Sequence, residues 1–413
     1  MSTPADVRLL FATRAVRLFA YGFLSVVLVL YLAALGHSEA RIGLLLSLTL
    51  AGDTVISLGL TTRADRAGRR TTLLVGAALM VLAGVIFAAT SSFAILLFAA
   101  TIGVLSPAGS EVGPFLAVEQ AALTQALPAA RRTKAFAWYA LVGSFATALG
   151  SLAGGAIASV LTRAGLAEIA AYRAVVGGYA AMGAVLIVLF TRLSPSCEAP
   201  PPQREAPPRK LGLGLHRSRG IVLRLSALFS VDAFAGGFVV QSFVAYWFHQ
   251  RFGAAPATIG AIFFGANVLA GLSALSAAWV AARIGLVRTM VYTHLPSNVL
   301  LLIVPLMPTL PLAMAVLFLR FSISQMDVPT RQSYVMAVVD PDERSAAAGV
   351  TGIARTIGAS LAPMVAGPLY AVPALASVPF FVCGLLKIGY DLALYRAFSA
   401  LPPPEEHEGA PRA

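Results

Sequence analysis

The stretch TTRADRAGRR, Thr61–Arg70, carries five charged side chains in ten residues. The chain around it is 12% charged and 58% hydrophobic over 413 residues. Long apolar runs lie on both sides. Charge concentrated in so short a turn, between segments that avoid water, marks a loop at a membrane edge. Outward from that turn the same alternation repeats. Apolar runs of about 20 residues recur from end to end, each long enough to cross a ~30 Å hydrocarbon core as a helix. The mean hydropathy of +0.82 agrees. Length alone would allow two or three soluble domains. The composition overrules that and predicts an all-α, polytopic membrane protein.

The formal charge of +12 invites a nucleic-acid reading. The basic residues sit mostly in short loops between apolar runs, so no nucleic-acid partner is expected. Cys197 lies in a polar linker and Cys383 in an apolar run, and no disulfide framework follows from them. The N-terminus lacks the short apolar run and small-residue cleavage site of a signal peptide, so the first apolar segment is expected to stay as an anchor. No H-E-x-x-H, paired C-x-x-C, G-x-S-x-G or P-loop sequence is present. The chain therefore reads as a non-enzyme with no cofactor and no metal, and ATP is not its expected energy source.

The apolar pattern places twelve spans at about 14–36, 42–62, 71–90, 93–119, 135–161, 170–191, 221–248, 257–281, 288–307, 311–337, 347–370 and 374–397. An even number puts both termini on one side. One set of loops holds Arg63, Arg66, Arg69 and Arg70, then Arg131, Arg132 and Lys134, then Arg283 and Arg288, then Arg344. The other holds Arg41, Arg163 and Arg251, with Arg173 near an edge. The positive-inside rule makes the first set cytoplasmic, together with both termini, in the plasma (cell inner) membrane. Residues 192–220, RLSPSCEAPPPQREAPPRKLGLGLHRSRG, are rich in Pro, Arg and Gly and read as a flexible cytoplasmic linker. Its basic residues either bind anionic lipid or simply follow the topology. It divides the chain into an N-terminal six-helix bundle (1–191), the linker (192–220) and a C-terminal bundle with a short tail (221–413).

An internal repeat supports that division. FAYGFLSVVLVLYL from Phe19 matches FAGGFVVQSFVAYW from Phe234, so that Phe19, Phe23 and Tyr31 fall on Phe234, Phe238 and Tyr246. In the same register Arg17 falls on Asp232, near the cytoplasmic edge, which makes Asp232 a gating candidate. After a two-residue shift ARIGLL at Ala40 falls on ATIGAI at Ala257, and the new register runs unbroken to Gly68 and Gly285. Two similar halves joined by a linker are a common plan for secondary transporters, with the substrate site near the midplane.

The repeat isolates what is peculiar about the charged turn. Its counterpart is AARIGLV, Ala281–Val287: the glycine survives, while Asp65 corresponds to Ala282 and Arg69 to Leu286. Topology calls for arginine but gives no reason for Asp65. Here the sequence resembles the major facilitator superfamily, whose loop between helices two and three reads G-x-L-A-D-R-x-G-R-R. Ala64, Asp65, Arg66, Gly68, Arg69 and Arg70 match it in register; Thr61 and Arg63 depart from Gly and Leu. The resemblance covers essentially the whole chain and is silent about substrate. It implies a latch. Asp65 ends the second helix beside the N-terminus of the eleventh, where unpaired N–H groups attract a carboxylate. Arg69 holds Asp65 and reaches Glu119 at the end of the fourth helix, and Gly68 permits the tight turn. In the fifth span, GSFATALGSLAGG places Gly150, Gly154 and Gly155 at the spacing of the family's exporter-associated G-P-x-x-G-G pattern, with Ser151 in the proline's place. Close packing of small residues between helices is the alternative reading.

Ionisable groups inside spans are costly and mark function. Asp53 lies midway through span two and Glu111 at comparable depth in span four; both are candidates for proton coupling. In span ten, Arg320 and Asp327 share a helix face, Asp327 and Arg331 are four apart, and Pro329 loosens the backbone. Lys387 and Asp391 read as a mutually neutralising pair. Arg320, Asp327, Arg355 and Gln241 are the substrate-binding candidates. The whole reads as a monomeric, proton-coupled transporter of small organic solutes, an exporter ahead of a symporter, working by rocking of the two bundles. A transporter-like receptor that moves nothing is the alternative from another class.

Overall fold

The computed structural model describes residues 4–198, 215–340 and 343–399; the side chains of Asp65 and Arg66 lie outside that description. Every element longer than a turn is a helix, and there is no strand among the described residues. Span one is α1 (Pro4–Ser25) with α2 (Leu28–Ala34), and span two is α3 (Glu39–Thr61). The charged turn contains α4 (Ala64–Ala67) and leads into α5 (Arg69–Ala89), which is span three. Span four is α6 (Phe93–Ile102) with α7 (Phe115–Ala126); spans five and six are α8 (Ala129–Arg163) and α9 (Glu168–Thr191). In the second half, span seven is α10 (Arg219–Gly237) with α11 (Gln241–Phe252), span eight α12 (Pro256–Ile284) and span nine α13 (Leu286–Ile303). Span ten is α14 (Leu310–Phe321) with α15 (Asp327–Val338), followed by α16 (Arg344–Ala371) and α17 (Val378–Phe398). Nine helical segments among the described residues are long and apolar enough to cross a membrane. The other three expected spans are α6 with α7, α14 with α15, and α16.

The broken helices are the same members of each half: spans one and four, then seven and ten. Broken helices at corresponding places are where transporters of repeated build hold their ligands. The chemistry of each break is visible. Between α6 and α7 lie Pro107 and Pro114, with Gly109 and Gly113 at φ 65° and 81°. Backbone groups freed there are buried and need partners. Tyr21 donates to the Val112 carbonyl at 3.1 Å, Tyr179 to that of Val104, and Asp53 accepts the Gly113 N–H at 2.7 Å. In span ten the chain unwinds over residues 322–326, and Pro329 falls in the first turn of α15, where its missing N–H disturbs no helical bond. Gly68 and Gly285, paired by the repeat, both take positive φ, 97° and 85°, so each turn needs its glycine.

By chain contacts the molecule forms two compact units. The first is Met1–Gln203 with Val240–Val268 and Pro363–Ala376; the second is Arg204–Val239 with Leu269–Ala362 and Ser377–Ala413. Two of the five boundaries cut through helices, one in α12 and one in α16. In the first unit α1 packs on α8 and α9, α3 on α6, and α5 on α9. In the second, α13 packs on α14, α15 and α17, and α10 on α17, around Leu225, Phe229, Met290, Tyr334 and Leu394.

Candidate functional site

Each unit encloses one charged cluster. In the first, α1 begins ten residues before the expected span, which adds Thr13 to the helix on the face of Arg14 and Arg17, both already within the span. Arg17 is fully buried and donates to both oxygens of the equally buried Glu119, at 2.8 and 2.7 Å. Its Nε donates to Glu111 at 2.8 Å. Arg14 donates to the other Glu111 oxygen at 2.9 Å and to the Tyr139 carbonyl at 2.6 Å, and lies over the Tyr139 ring. Thr13 and Tyr139 complete the shell of Glu119 through their hydroxyls. Two arginines and two glutamates thus balance. Arg14 and Arg17 were not singled out as site residues from sequence; their i, i+3 spacing inside an apolar run was the available signal. Asp53 stands apart: its Oδ1 accepts from Gly113 N–H at 2.7 Å and from Ser57 at 3.2 Å, and among the described residues no cation pairs with it.

Gln241, expected at the substrate, belongs to the first unit. Its amide donates to Ser25 at 2.8 Å and Ser151 at 3.2 Å and accepts from Asn267 at 3.3 Å. The three motif glycines are contact points. A Cβ on Gly150 would lie 2.0 Å from the Phe19 carbonyl oxygen, and one on Gly154 2.2 Å from that of Phe23. One on Gly155 would lie 2.1 Å from the Pro256 carbonyl oxygen. The first two let α8 touch α1; the third lets α8 touch the start of α12. In the same region Tyr246 donates to Glu39 at 2.6 Å and Ser47 accepts the Met364 N–H at 2.8 Å.

The charged turn is held by residues that sequence reasoning passed over. Glu198 accepts the backbone N–H groups of Arg69 and Arg70, at 2.6 and 3.1 Å, and so sits at the N-terminus of α5. The Arg69 guanidinium donates to Gln125 at 2.8 Å and to the Cys197 carbonyl at 3.3 Å. This corrects the expected Arg69–Glu119 contact: Arg69 does reach the end of span four, but Gln125 meets it, because Glu119 is taken by Arg17. Arg70 donates to the Thr191 carbonyl. Asp6 accepts from Ser194 N–H at 3.0 Å and its hydroxyl at 2.7 Å. Burial, with Asp6 and Glu198 nearby, pushes the Cys197 thiol up to about 11. The side-chain roles expected for Asp65 and Arg66 fall outside the described residues.

The second unit's cluster is built on Asp232, 3% exposed on α10. One oxygen accepts from Arg331 at 3.3 Å and Arg355 at 3.1 Å; the other accepts from Lys387. Asp327 pairs with Arg331 at 2.8 Å, as its spacing predicts. Asp391 accepts from Asn298 at 2.9 Å and lies 2.8 Å from His294 Nδ1. Two expectations are corrected here. Lys387 and Asp391 do not neutralise each other, since α13 and α10 supply each with a different partner. Arg320 does not pair with Asp327, because Arg331 is one turn away on the same helix while residues 322–326 interrupt the face that Arg320 and Asp327 were to share. The Arg320 Nε is buried with no hydrogen-bond partner among the described residues. His294 and Asn298 were not foreseen.

The two clusters mirror each other with charge inverted. Arg17 and Asp232 are repeat counterparts, and each is a hub. The partner of Arg17 is the fifth residue of α7, Glu119; that of Asp232 is the fifth residue of α15, Arg331.

Comparison with known proteins agrees with this architecture. The family model described as Major Facilitator Superfamily matches residues 10–363. A membrane protein of Saccharomyces cerevisiae, YJR124C, whose name records it as uncharacterized, is 30% identical over 94% of this chain and 93% of its own. The crystal structure of a mutant form of nucleoside transporter NupG superposes with a TM-score of 0.76 at 15% identity, over 95% of this chain and 100% of that one. A bacterial homolog of the human lysosomal transporter Spinster, inward-facing and unoccupied, gives 0.69 at 17%, over 97% and 96%.

Proposed function

The chain belongs to the Major Facilitator Superfamily, and from that premise we propose that this membrane transporter is driven by protons and moves small organic solutes outward by alternating access. The observation that carries proton coupling is Asp53, a partly buried carboxylate bonded only to neutral donors among the described residues, in the unit whose cluster of two arginines and two glutamates is matched. A carboxylate without a counter-charge inside a span marks a candidate site for loading and releasing a proton. Glu111 is the weaker candidate, since two guanidiniums already hold it. On the substrate side, Arg355 keeps a third of its side chain exposed, and Arg320 pairs with no carboxylate among the described residues, its Nε being buried and unbonded there. The glycine pattern of α8 supports efflux. Both termini are taken as cytoplasmic, the membrane as the plasma membrane, the functional unit as a monomer of two six-helix bundles, and Asp65 as part of the latch.

Proteoliposomes with an imposed pH gradient test the reading. Wild-type protein is expected to move protons with one class of compound from a broad panel, and Asp53→Asn to abolish that drive while exchange persists. Glu111→Gln is expected to lower stability rather than merely uncouple. Full proton-driven transport by Asp53→Asn would remove Asp53 from the mechanism. A second reading, symport of an anion with a proton, is favoured by Arg320, since one unmatched cation and one unmatched acid are neutralised together only when both ligands bind.

A further inference from the structure

We propose that His294 is a proton-binding site of the second unit, and that its occupancy decides how firmly Asp232 holds Arg355. The use of such a site rests on the transporter reading; its existence rests on geometry. His294 is buried on α13, 5% exposed. Its Nδ1 lies 2.8 Å from Asp391 Oδ1 and its Nε2 4.0 Å from Asp232 Oδ1. The groups facing it are Asn298 from its own helix, Asp391, Lys387 and Tyr390 from α17, and Asp232 from α10. Through Asp232 it meets Arg331 of α15 and Arg355 of α16, while Arg320 of α14 makes no bond in the cluster.

Asp391 is an acceptor, so the neutral ring carries its hydrogen on Nδ1. That leaves the Nε2 lone pair turned toward a carboxylate oxygen with no hydrogen between them. At 4.0 Å this is an ion-pair distance and not a hydrogen bond; one proton added at Nε2 makes it a charge–charge attraction, which a closer approach of the ring would turn into a charge-assisted bond. No other covalent bond changes: neutral imidazole becomes imidazolium. The consequence falls on Asp232, whose two oxygens offer about four acceptor positions and already serve three cations. A fourth positive group takes the last of those positions and repels the three cations already there, which loosens the partner held least. Arg331 is 8% exposed and also bonded to Asp327, and Lys387 is 11% exposed. Arg355 is 33% exposed and bonds only to Asp232 among the described residues. A proton on His294 therefore frees Arg355, whose planar fork suits a carboxylate, sulfate or phosphate.

The test is a titration of histidine-labelled full-length protein in nanodiscs by nitrogen NMR. The chain has 5 histidines, and His294→Gln identifies the ring in question. Should that variant not fold, substituting the other histidines identifies it instead. The expected result is an Nδ1–H tautomer at the alkaline end of the titration and a ring protonated on both nitrogens at the acid end. Arg355→Gln should move its midpoint and Arg14→Gln, in the first unit, should not. Thermal stabilisation by sulfate, over chloride at equal ionic strength, should be greater at the acid end and should disappear in Arg355→Gln. A ring that keeps one protonation state throughout, or a midpoint indifferent to Arg355→Gln, would overturn the proposal. Neither result touches the Asp53 experiment. Conversely, transport blind to a pH gradient would remove proton coupling while leaving this titration in place.

Discussion

Arg17 is fully buried, and among the described residues its charge is held by Glu111 and Glu119. Removing one partner of a buried pair leaves the other uncompensated, at a cost of about 3–5 kcal/mol. Arg17→Met is therefore expected to lower the thermal unfolding midpoint sharply and to reduce the folded fraction in membranes. A midpoint within error of wild type would mean that the pair carries no weight. At the membrane edge the Glu343 carboxyl shows the opposite balance. Burial pushes its pKa up, but the N–H groups of Ser218, His216 and Arg217 outweigh that and bring it down from 4.5 to about 2. A depressed acid stabilises the fold above its unfolded value and loses that contribution as pH falls. The midpoint difference between wild type and Glu343→Gln should be full above about pH 4.5 and vanish toward pH 2. A difference that grows on acidification would have the wrong sign. Asp327 with Arg331 was legible in the sequence because the contact is local, four residues apart. Arg17 with Glu119 was not, because periodicity places residues on helix faces but does not say which faces meet across 102 positions.

The helices themselves were legible: each expected span has its counterpart, since apolar length dictates them. The breaks were not: spans one, four, seven and ten were each expected to be continuous, with a loosened backbone expected only at Pro329, although Pro107, Gly109, Gly113 and Pro114 mark the break of span four. The interruption at residues 322–326 has neither proline nor glycine, and follows from the need of α15 to start before Pro329. The glycines of α8 were read first as an exporter pattern, with small-residue packing as the alternative; the contacts they make needed coordinates. Gly150→Ala and Gly154→Ala force a Cβ onto the Phe19 and Phe23 carbonyls, so α1 must move off α8, at roughly 1–3 kcal/mol each. Gly59→Ala is the control: nothing lies within 4 Å, and the helix should gain up to about 1 kcal/mol. Thermal midpoints of the three variants decide this, and equal effects would refute the contact argument.

In the first unit, the ends of α11, α12 and α16 away from the basic loops close on α3 and α8 through Tyr246, Gly155 and Gly367. Tyr246→Phe and Gly155→Ala are each expected to loosen this seal. A thiol placed at Ser151, fully buried now, should then react several-fold faster with a membrane-impermeant maleimide; an unchanged rate would mean that the seal depends on neither. The hubs carry a further consequence, for how the chain is made. Arg17 leaves the ribosome 94 residues before Glu111 and 102 before Glu119, and Asp232 waits 155 residues for Lys387. At about 5–20 residues per second, span one must wait roughly 5–20 s with two bare arginines. An arginine costs up to about 2.5–3.5 kcal/mol at a helix centre and less toward the membrane edge, where Arg14 and Arg17 enter span one. The first helix is therefore expected to stay at the translocon, or against a membrane chaperone, until the fourth arrives, so that each charged cluster closes only with the helix that brings its last counter-charge.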